Sequence, residues 1–358
     1  MAPNQDLKVQ AVLLGLLRSE LWERGDAAAL CPLTAAEWNR LFRYAQKHTI
    51  EGVVFGGLQR MPENLLPPRE LLLKWTVRID QVERRNRHIS DAMKVQLQHF
   101  AAAGIQPVLL KGIGAAACYP IPAHRISGDV DWYFESAADF KQANALMGRR
   151  IQYCWQGIVV EHHQRMFDIH NPCCLAYLNR LQRQFRAEQL EFDLQGSPLK
   201  LPAPILMMVQ VNTHILKHLL SFGIGIRQLC DAARIYHTYK SMVSGQELKA
   251  IFRRLGILRW IDLLHAVLVR FIGLPQTDLP FPLPAGIAAD WMMEDIWLAG
   301  NFGLQDARFE SQPATDGRRR QAGQRVGANL RKYFRYAPME ALSFPVVQLI
   351  SGFAHRKP

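Results

Sequence analysis

The chain has 358 residues, of which 49% are hydrophobic, enough for two or three domains with sizeable cores and too apolar for a disordered chain. Its formal net charge of +12 favours polyanionic partners such as nucleotides, RNA or an anionic membrane surface. No run reaches the roughly 18 apolar residues of a membrane span. None of the six cysteines forms a C-x-x-C pair, and the polar start (residues 1–8) leads to no cleavage site, so a cytoplasmic protein with reduced thiols is expected.

The first hundred residues read as helical. Thr34 is a helix cap for residues 35–58, and Pro67 and Pro68 suit the start of another helix. Residues 70–103 contain neither proline nor glycine, which predicts one long helix ending at Gly104. Inside it lies a basic run, "RRNRH" at 84–88.

The pattern changes at Ile105. "IQPVLL" is strand-like, and so is "DVDWYF" at 129–134. Ser136, with Asp139 three residues on, opens a helix to about Gly148. "IQYCWQGIVVEHH" and "RMFDIH" read as two further strands close enough to pair, making an α/β unit near residues 105–172. From Leu175 the chain reads as helical, with helices expected at 204–220, 227–239, 244–255, 260–272 and 288–298. A second basic run, "GRRRQAGQR", occupies 317–325. There is no internal repeat. The expected division is an N-terminal helical region (1–103), an α/β core (104–195) and a C-terminal helical domain (196–358).

Two motifs inside the core compete. Residues 112–117, "GIGAAA", match the loose G-x-G-x-x-A dinucleotide fingerprint after a strand. The helix that follows must end before Pro120 and Pro122, too short for a crossover, and no further β-α repeats follow. A dinucleotide site is therefore rejected. Asp129 and Asp131 flank Val130, so in a strand both project from one face. Paired carboxylates repel, and a divalent cation relieves the conflict; Mg²⁺ takes carboxylate oxygens together with substrate phosphates. Two-metal phosphoryl transfer needs a third carboxylate on a neighbouring strand. Asp168 in "FDIH" is preferred for it, and Asp193 in "EFDLQG" is the rival.

Other constellations carry less. His162, His163 and His170 lack ligand spacing for a transition-metal centre. His214 and His218 share a helical face without an H-E-x-x-H pattern, and no Walker turn or G-x-S-x-G elbow occurs. Arg227 and Asp231, four apart, read as an internal ion pair, with nucleotide contact as the functional alternative.

Leu110-Lys111-Gly112, Tyr119-Pro120, Arg125, Gly128-Asp129-Val130-Asp131 and Asp168-Ile169-His170 together resemble a bacterial family of nucleotidyltransferases within the DNA polymerase β-like superfamily. The likeness continues through His214, His218, Arg227 and Asp231 to "GNFG" at 300–303, and is strongest over residues 104–235. It implies an α+β fold, a small mixed sheet flanked by N-terminal and C-terminal helical regions. It implies a Mg²⁺-dependent transfer of a nucleoside monophosphate from an NTP, ATP first, to a hydroxyl acceptor, with release of pyrophosphate. Two metal ions, with Mn²⁺ as the alternative, would sit on Asp129, Asp131 and Asp168. Lys111, Gly112, Gly114, Arg125 and Ser127 would face the phosphates, and His170 and Arg227 the nucleotide. The superfamily's turn has serine or glycine directly after its glycine; here Ile113 intervenes, so phosphate contacts fall to backbone N–H groups and Lys111. The acceptor, whether RNA, protein or small molecule, is left open. A catalytically silent nucleotide- or RNA-binding protein of the same fold is the alternative, and a tRNA-modifying toxin a special case of the enzyme.

Overall fold

The computed structural model describes residues 3–24, 32–148, 150–303 and 317–354. Helices α1 (Pro3–Trp22), α2 (Ala35–Lys47), α3 (Glu51–Leu58) and α4 (Arg69–Ala102) come first. The α2 cap is reciprocal: the Thr34 hydroxyl accepts from the Glu37 amide at 3.3 Å, and the Glu37 carboxylate accepts from the Thr34 amide at 2.7 Å. That amide contact, ahead of the other contributions, holds the Glu37 carboxyl below its usual range. The helix expected over 35–58 is two helices, because the chain turns at Thr49, whose φ is +54°.

Helix α4 is the long helix expected. Leu71, Trp75, Ile79, Val82, Asn86, Ile89, Met93, Gln96 and Phe100 are buried at spacings of four or three, one stripe along the helix. Two members of that stripe are amides, and both serve the sheet described next.

Strand β1 (Val108–Leu109), helix α5 (Ile113–Ala116), strand β2 (Asp129–Tyr133), helix α6 (Ala137–Leu146), and strands β3 (Gln152–Trp155) and β4 (Ile158–His163) follow. Ser136 caps α6, its hydroxyl accepting from the Asp139 amide at 2.9 Å. Then come α7 (Leu175–Gln184), β5 (Leu190–Asp193) and β6 (Pro198–Leu201). The six strands form one mixed sheet in the order β3-β4-β2-β1-β6-β5. β2 is parallel to β4 and antiparallel to β1, while β3–β4 and β5–β6 are antiparallel pairs.

Two expectations about strands fail. "IQYCWQGIVVEHH" is a hairpin and not a single strand: Gln156 (φ +49°) and Gly157 (φ +76°) supply the two positive-φ residues of a tight turn. "RMFDIH" is not a strand. β4 already has β2 on one side and β3 on the other, so the segment after it has no open edge there. The β5–β6 hairpin, with Gln195 (φ +53°) and Gly196 (φ +86°) at its turn, lies where only helix was expected.

The remaining helices are α8 (Pro204–Ser221), α9 (Ile226–Tyr239), α10 (Gly245–Arg254), α11 (Leu258–Val267), α12 (Asp290–Ala299), α13 (Gly317–Tyr333) and α14 (Pro338–Ala354). The architecture is therefore α+β, a mixed sheet with helical regions before and after it. The chain forms two compact units. The first joins Met1–Met166 to Glu188–Ala203, holds the sheet, and is cored by Trp38, Trp75, Trp132, Phe100 and Phe134. The second joins Phe167–Ala187 to Pro204–Pro358, with Tyr236, Phe252, Trp260 and Tyr333 at its centre. Among the described residues no helix is long and apolar enough to cross a membrane.

Candidate active site

The parallel register of β2 and β4 sets the site. Asp129 pairs with Val159, Asp131 with Glu161, and Tyr133 with His163. Residues opposite one another in register share a face, so Asp131 and Glu161 stand side by side, with His163 two residues further on that face. Val130, Trp132, Val160 and His162 point the other way, into the core. Asp131 is 1% exposed. Its Oδ1 lies 2.7 Å from His163 Nε2 and 3.2 Å from Lys111 Nζ. Glu161 Oε2 lies 3.7 Å from the same His163 nitrogen, and Glu161 Oε1 accepts from Gln152 at 2.7 Å.

One ligand atom each from Asp131, Glu161 and His163 lie within 4.8 Å of one another, the one such group among the described residues. Two carboxylates at that spacing repel, and a divalent cation satisfies both. The donor set fits Mg²⁺ or Mn²⁺, and the imidazole tilts it toward Mn²⁺. Asp129, two residues before Asp131, is exposed at the strand's start on the same face.

The first unit supports this face from below and from the side. At the turn before α5, Gly112 has φ +63° and ψ −118°, and a Cβ there would stand 3.2 Å from the Asp129 carbonyl. Only glycine takes that conformation without strain. Gly114 serves packing: a Cβ would come 2.8 Å from Leu201 on β6. Asn86 of α4 pins the loop into β2 with three bonds. Its amide nitrogen donates to the carbonyls of Ala123 (2.8 Å) and Arg125 (2.9 Å), and its oxygen accepts from the Ser127 amide (3.3 Å). Arg125 and Ser127 are both buried and joined to each other, Arg125 Nη1 donating to Ser127 Oγ at 3.1 Å.

Gln96 does the equivalent work under the strands. It accepts from Trp132 Nε1 at 2.8 Å and donates to Tyr153 Oη at 3.0 Å. Tyr153 in turn meets His162 Nε2 at 3.0 Å, and His162 Nδ1 meets Asn144 Oδ1 at 2.7 Å. Burial, with His163 adding to it, pushes His162 down to about 4, so its ring is neutral. Since Asn144 Oδ1 can only accept, His162 carries its proton on Nδ1 and receives the Tyr153 hydroxyl proton at Nε2. Each side chain of this relay, from Trp132 through Gln96, Tyr153 and His162 to Asn144, thereby meets a partner of the right polarity.

Asp168, His170 and Arg227 belong to the second unit. Asp168 lies outside any strand and is clamped there, with Oδ2 2.8 Å from His214 Nδ1 and Oδ1 2.7 Å from Lys217 Nζ. The His170 and Asn171 amides each donate to the buried Glu340 carboxylate at 2.8 Å, and the His170 ring sits edge-on to Phe344. Arg227 is half-buried in the first turn of α9. Asp193 ends β5, three strands away from β2, about 14 Å at ordinary strand spacing. Its carboxylate accepts from the Gly196 amide at 2.8 Å in its own turn.

Sequence reading did not single out Glu161 and set His163 aside for want of ligand spacing; the β2–β4 register supplies the spacing that the chain order hides. Their signal was present: E-x-H in an alternating strand repeats the same-face spacing of D-x-D. Asn86 and Gln96 were also readable, as two amides inside an otherwise apolar helical stripe. Each residue of the first basic run that is charged makes a contact within its own unit. Arg84 pairs with Asp80 (2.9 Å) and Arg87 with Glu83 (3.6 Å), while Arg85 and His88 bond to the carbonyls of the β3–β4 turn. Arg325 is buried and donates to the Gly303 carbonyl at 2.6 Å. The side chains of Arg318, Arg319 and Arg320 lie outside the described residues.

No curated protein and no solved structure matches the chain. A family model described as "Uncharacterised nucleotidyltransferase" does match, over residues 34–273. The match begins at the Thr34 cap and ends at Gly273, the left-handed residue that terminates the helical run after α11. It therefore contains the whole sheet, the D-x-D strand and the facing E-x-H strand. Spanning well over half of the 358 residues, it makes this chain a member of that uncharacterised nucleotidyltransferase family.

Proposed function

We propose that the chain transfers a nucleoside monophosphate from an NTP, with ATP the first candidate, to a hydroxyl acceptor, using Mg²⁺ or Mn²⁺ held on the β2–β4 face of a DNA polymerase β-like core. The observation that carries this reading is the Asp131–Glu161 register pair with His163 beside it. The resemblance implies two ions. Asp129, Asp131 and Glu161 would hold metal, which puts the third carboxylate on the strand adjacent to the aspartates, where two-metal chemistry requires it. A bound cation would stabilise the charge developing on the transferred phosphoryl group.

The chain's own residues supply the rest. Lys111 and the backbone around Gly112 face the phosphates. Arg125 and Ser127 hold the loop ahead of β2 in place. The acceptor oxygen forms a bond to the α-phosphorus, the bond to the β-phosphate oxygen breaks, and pyrophosphate leaves. The acceptor's proton passes to a carboxylate of the site or to water. The proposed roles of His170 and Arg227 rest on the resemblance, and that of Asp168 on the resemblance together with its reading as a strand acid.

RNA, a protein hydroxyl and a small molecule are the acceptor classes that the labelling test separates. The arginines of the first basic run are engaged within their own unit, and Arg325 of the second is buried. The test is incubation with Mg²⁺ or Mn²⁺, each labelled NTP in turn, and cell extract as acceptor. Label should enter one fraction with the parent protein and none with Asp131→Asn or Glu161→Gln. Equal labelling by the variants would overturn the assignment.

A further inference from the structure

Asp131 Oδ1 receives two donors, His163 Nε2 at 2.7 Å and Lys111 Nζ at 3.2 Å. A carboxylate buried this deeply needs a compensating positive charge, and the neighbouring Glu161 increases that need. Lys111 meets it with a compact ammonium on a flexible stem of four carbons. Its side chain is 25% exposed, so the stem has a way out toward solvent. The backbone under it is fixed. Leu110 donates to the Asp131 carbonyl at 3.1 Å, and Gly112 turns against Asp129. Any motion there falls to the Lys111 side chain.

We propose that Lys111 is a resident cation that fills the Asp131 side of the metal site and is displaced when a divalent ion binds, which releases its ammonium to the phosphates of the NTP. The inference rests on the metal reading given above. Its physical basis is competition: an ammonium 3.2 Å from Asp131 Oδ1 and a divalent cation on the same carboxylate repel each other, so each weakens the other's hold. Metal arriving alone breaks the Lys111–Asp131 pair. Metal arriving with triphosphate expels Lys111 onto a new anionic partner. The two ligands therefore bind with positive coupling, and Lys111 carries that coupling. A lysine serving only as a phosphate ligand would weaken nucleotide binding when removed and leave the metal untouched.

The experiment measures Mn²⁺ affinity of the full chain without nucleotide, by electron paramagnetic resonance of the free ion, and then affinity for the Mn²⁺ complex of a non-hydrolysable ATP analogue. Lys111→Met keeps the length of the stem and removes the charge. It should bind Mn²⁺ alone about tenfold more tightly than the parent and the metal–nucleotide complex several-fold more weakly. Lys111→Arg should bind Mn²⁺ no more tightly than the parent. Lys94→Met removes a cation whose partners are Asp91 and Gln195, and should leave Mn²⁺ affinity unchanged. Equal or weaker Mn²⁺ binding by Lys111→Met overturns the proposal, and so does an equal gain in Lys94→Met. Binding of Mn²⁺ that survives Glu161→Gln, or no binding by any variant, overturns the metal reading itself.

Discussion

Replacing Glu161 by glutamine should have opposite consequences with and without metal. The ligand atoms of Asp131 and Glu161 lie within 4.8 Å of each other. Two unit charges at that distance repel by about 1 kcal/mol in a water-like dielectric and about 3 kcal/mol at the effective value for partly buried protein sites. Lys111 offsets part of this from the Asp131 side. The amide oxygen introduced by Glu161→Gln would still accept from Gln152, so the bond now 2.7 Å long has a replacement. The metal-free variant should therefore equal the parent in stability or exceed it by up to about 2 kcal/mol. In the parent, Mn²⁺ at a hundred times its dissociation constant adds about 2.7 kcal/mol through preferential binding to the folded state. Glu161→Gln should lose nearly all of that gain. Thermal unfolding in excess chelator and in a Mn²⁺ series measures both quantities in one preparation. A variant that is destabilised in chelator and still rises with Mn²⁺ like the parent would show that Glu161 supports the strand and does not hold the ion.

The acid assignments separate further. Asp193→Asn should leave Mn²⁺ binding and transfer unchanged, because its strand lies three positions from β2. Asp168→Asn should preserve Mn²⁺ binding while Glu161→Gln abolishes it, and the reverse pattern in Mn²⁺ titrations would return the third carboxylate to Asp168. Gly112→Ala should cost about 1–3 kcal/mol in urea unfolding, since φ +63° with ψ −118° is closed to a Cβ-bearing residue. Gly104→Ala, also at positive φ but with open space around it, should cost about 1 kcal/mol, and a Gly112 variant as mild as that would discount the strained turn. His265 is fully buried against Tyr236 Oη at 3.0 Å, and burial pushes it down to about 3. Its folded value lies below its unfolded one, so the unfolded chain takes up the proton first and stability falls as pH drops below about 6.5. That loss is about 2 kcal/mol between pH 7 and pH 5. His265→Gln should remove this share of the slope in urea melts at the two pH values, and an unchanged slope would sink the assignment.

What could be read in the sequence follows the range of the interactions involved. Helix α4 was legible because its determinants are local: residues 70–103 without a breaker, prolines ahead, Gly104 behind. The caps at Thr34 and Ser136 were legible for the same reason. The D-x-D face needs only the two-residue period of a strand. The third carboxylate is another matter, because it depends on which strand pairs with which. Asp168 and Glu161 were equivalent as acids two residues before a histidine, Asp168-Ile169-His170 against Glu161-His162-His163. What separates them is the turn at Gln156–Gly157, which folds residues 152–163 into a hairpin and hands its second strand to β2. Missing that turn assigns the hairpin to one strand and hides the register that sets Glu161 beside Asp131. A glycine preceded by a residue able to take positive φ, set between two alternating stretches, was the local sign of that long-range choice. The Asp131–Glu161 register pair thus hangs on two turn residues that take no part in it.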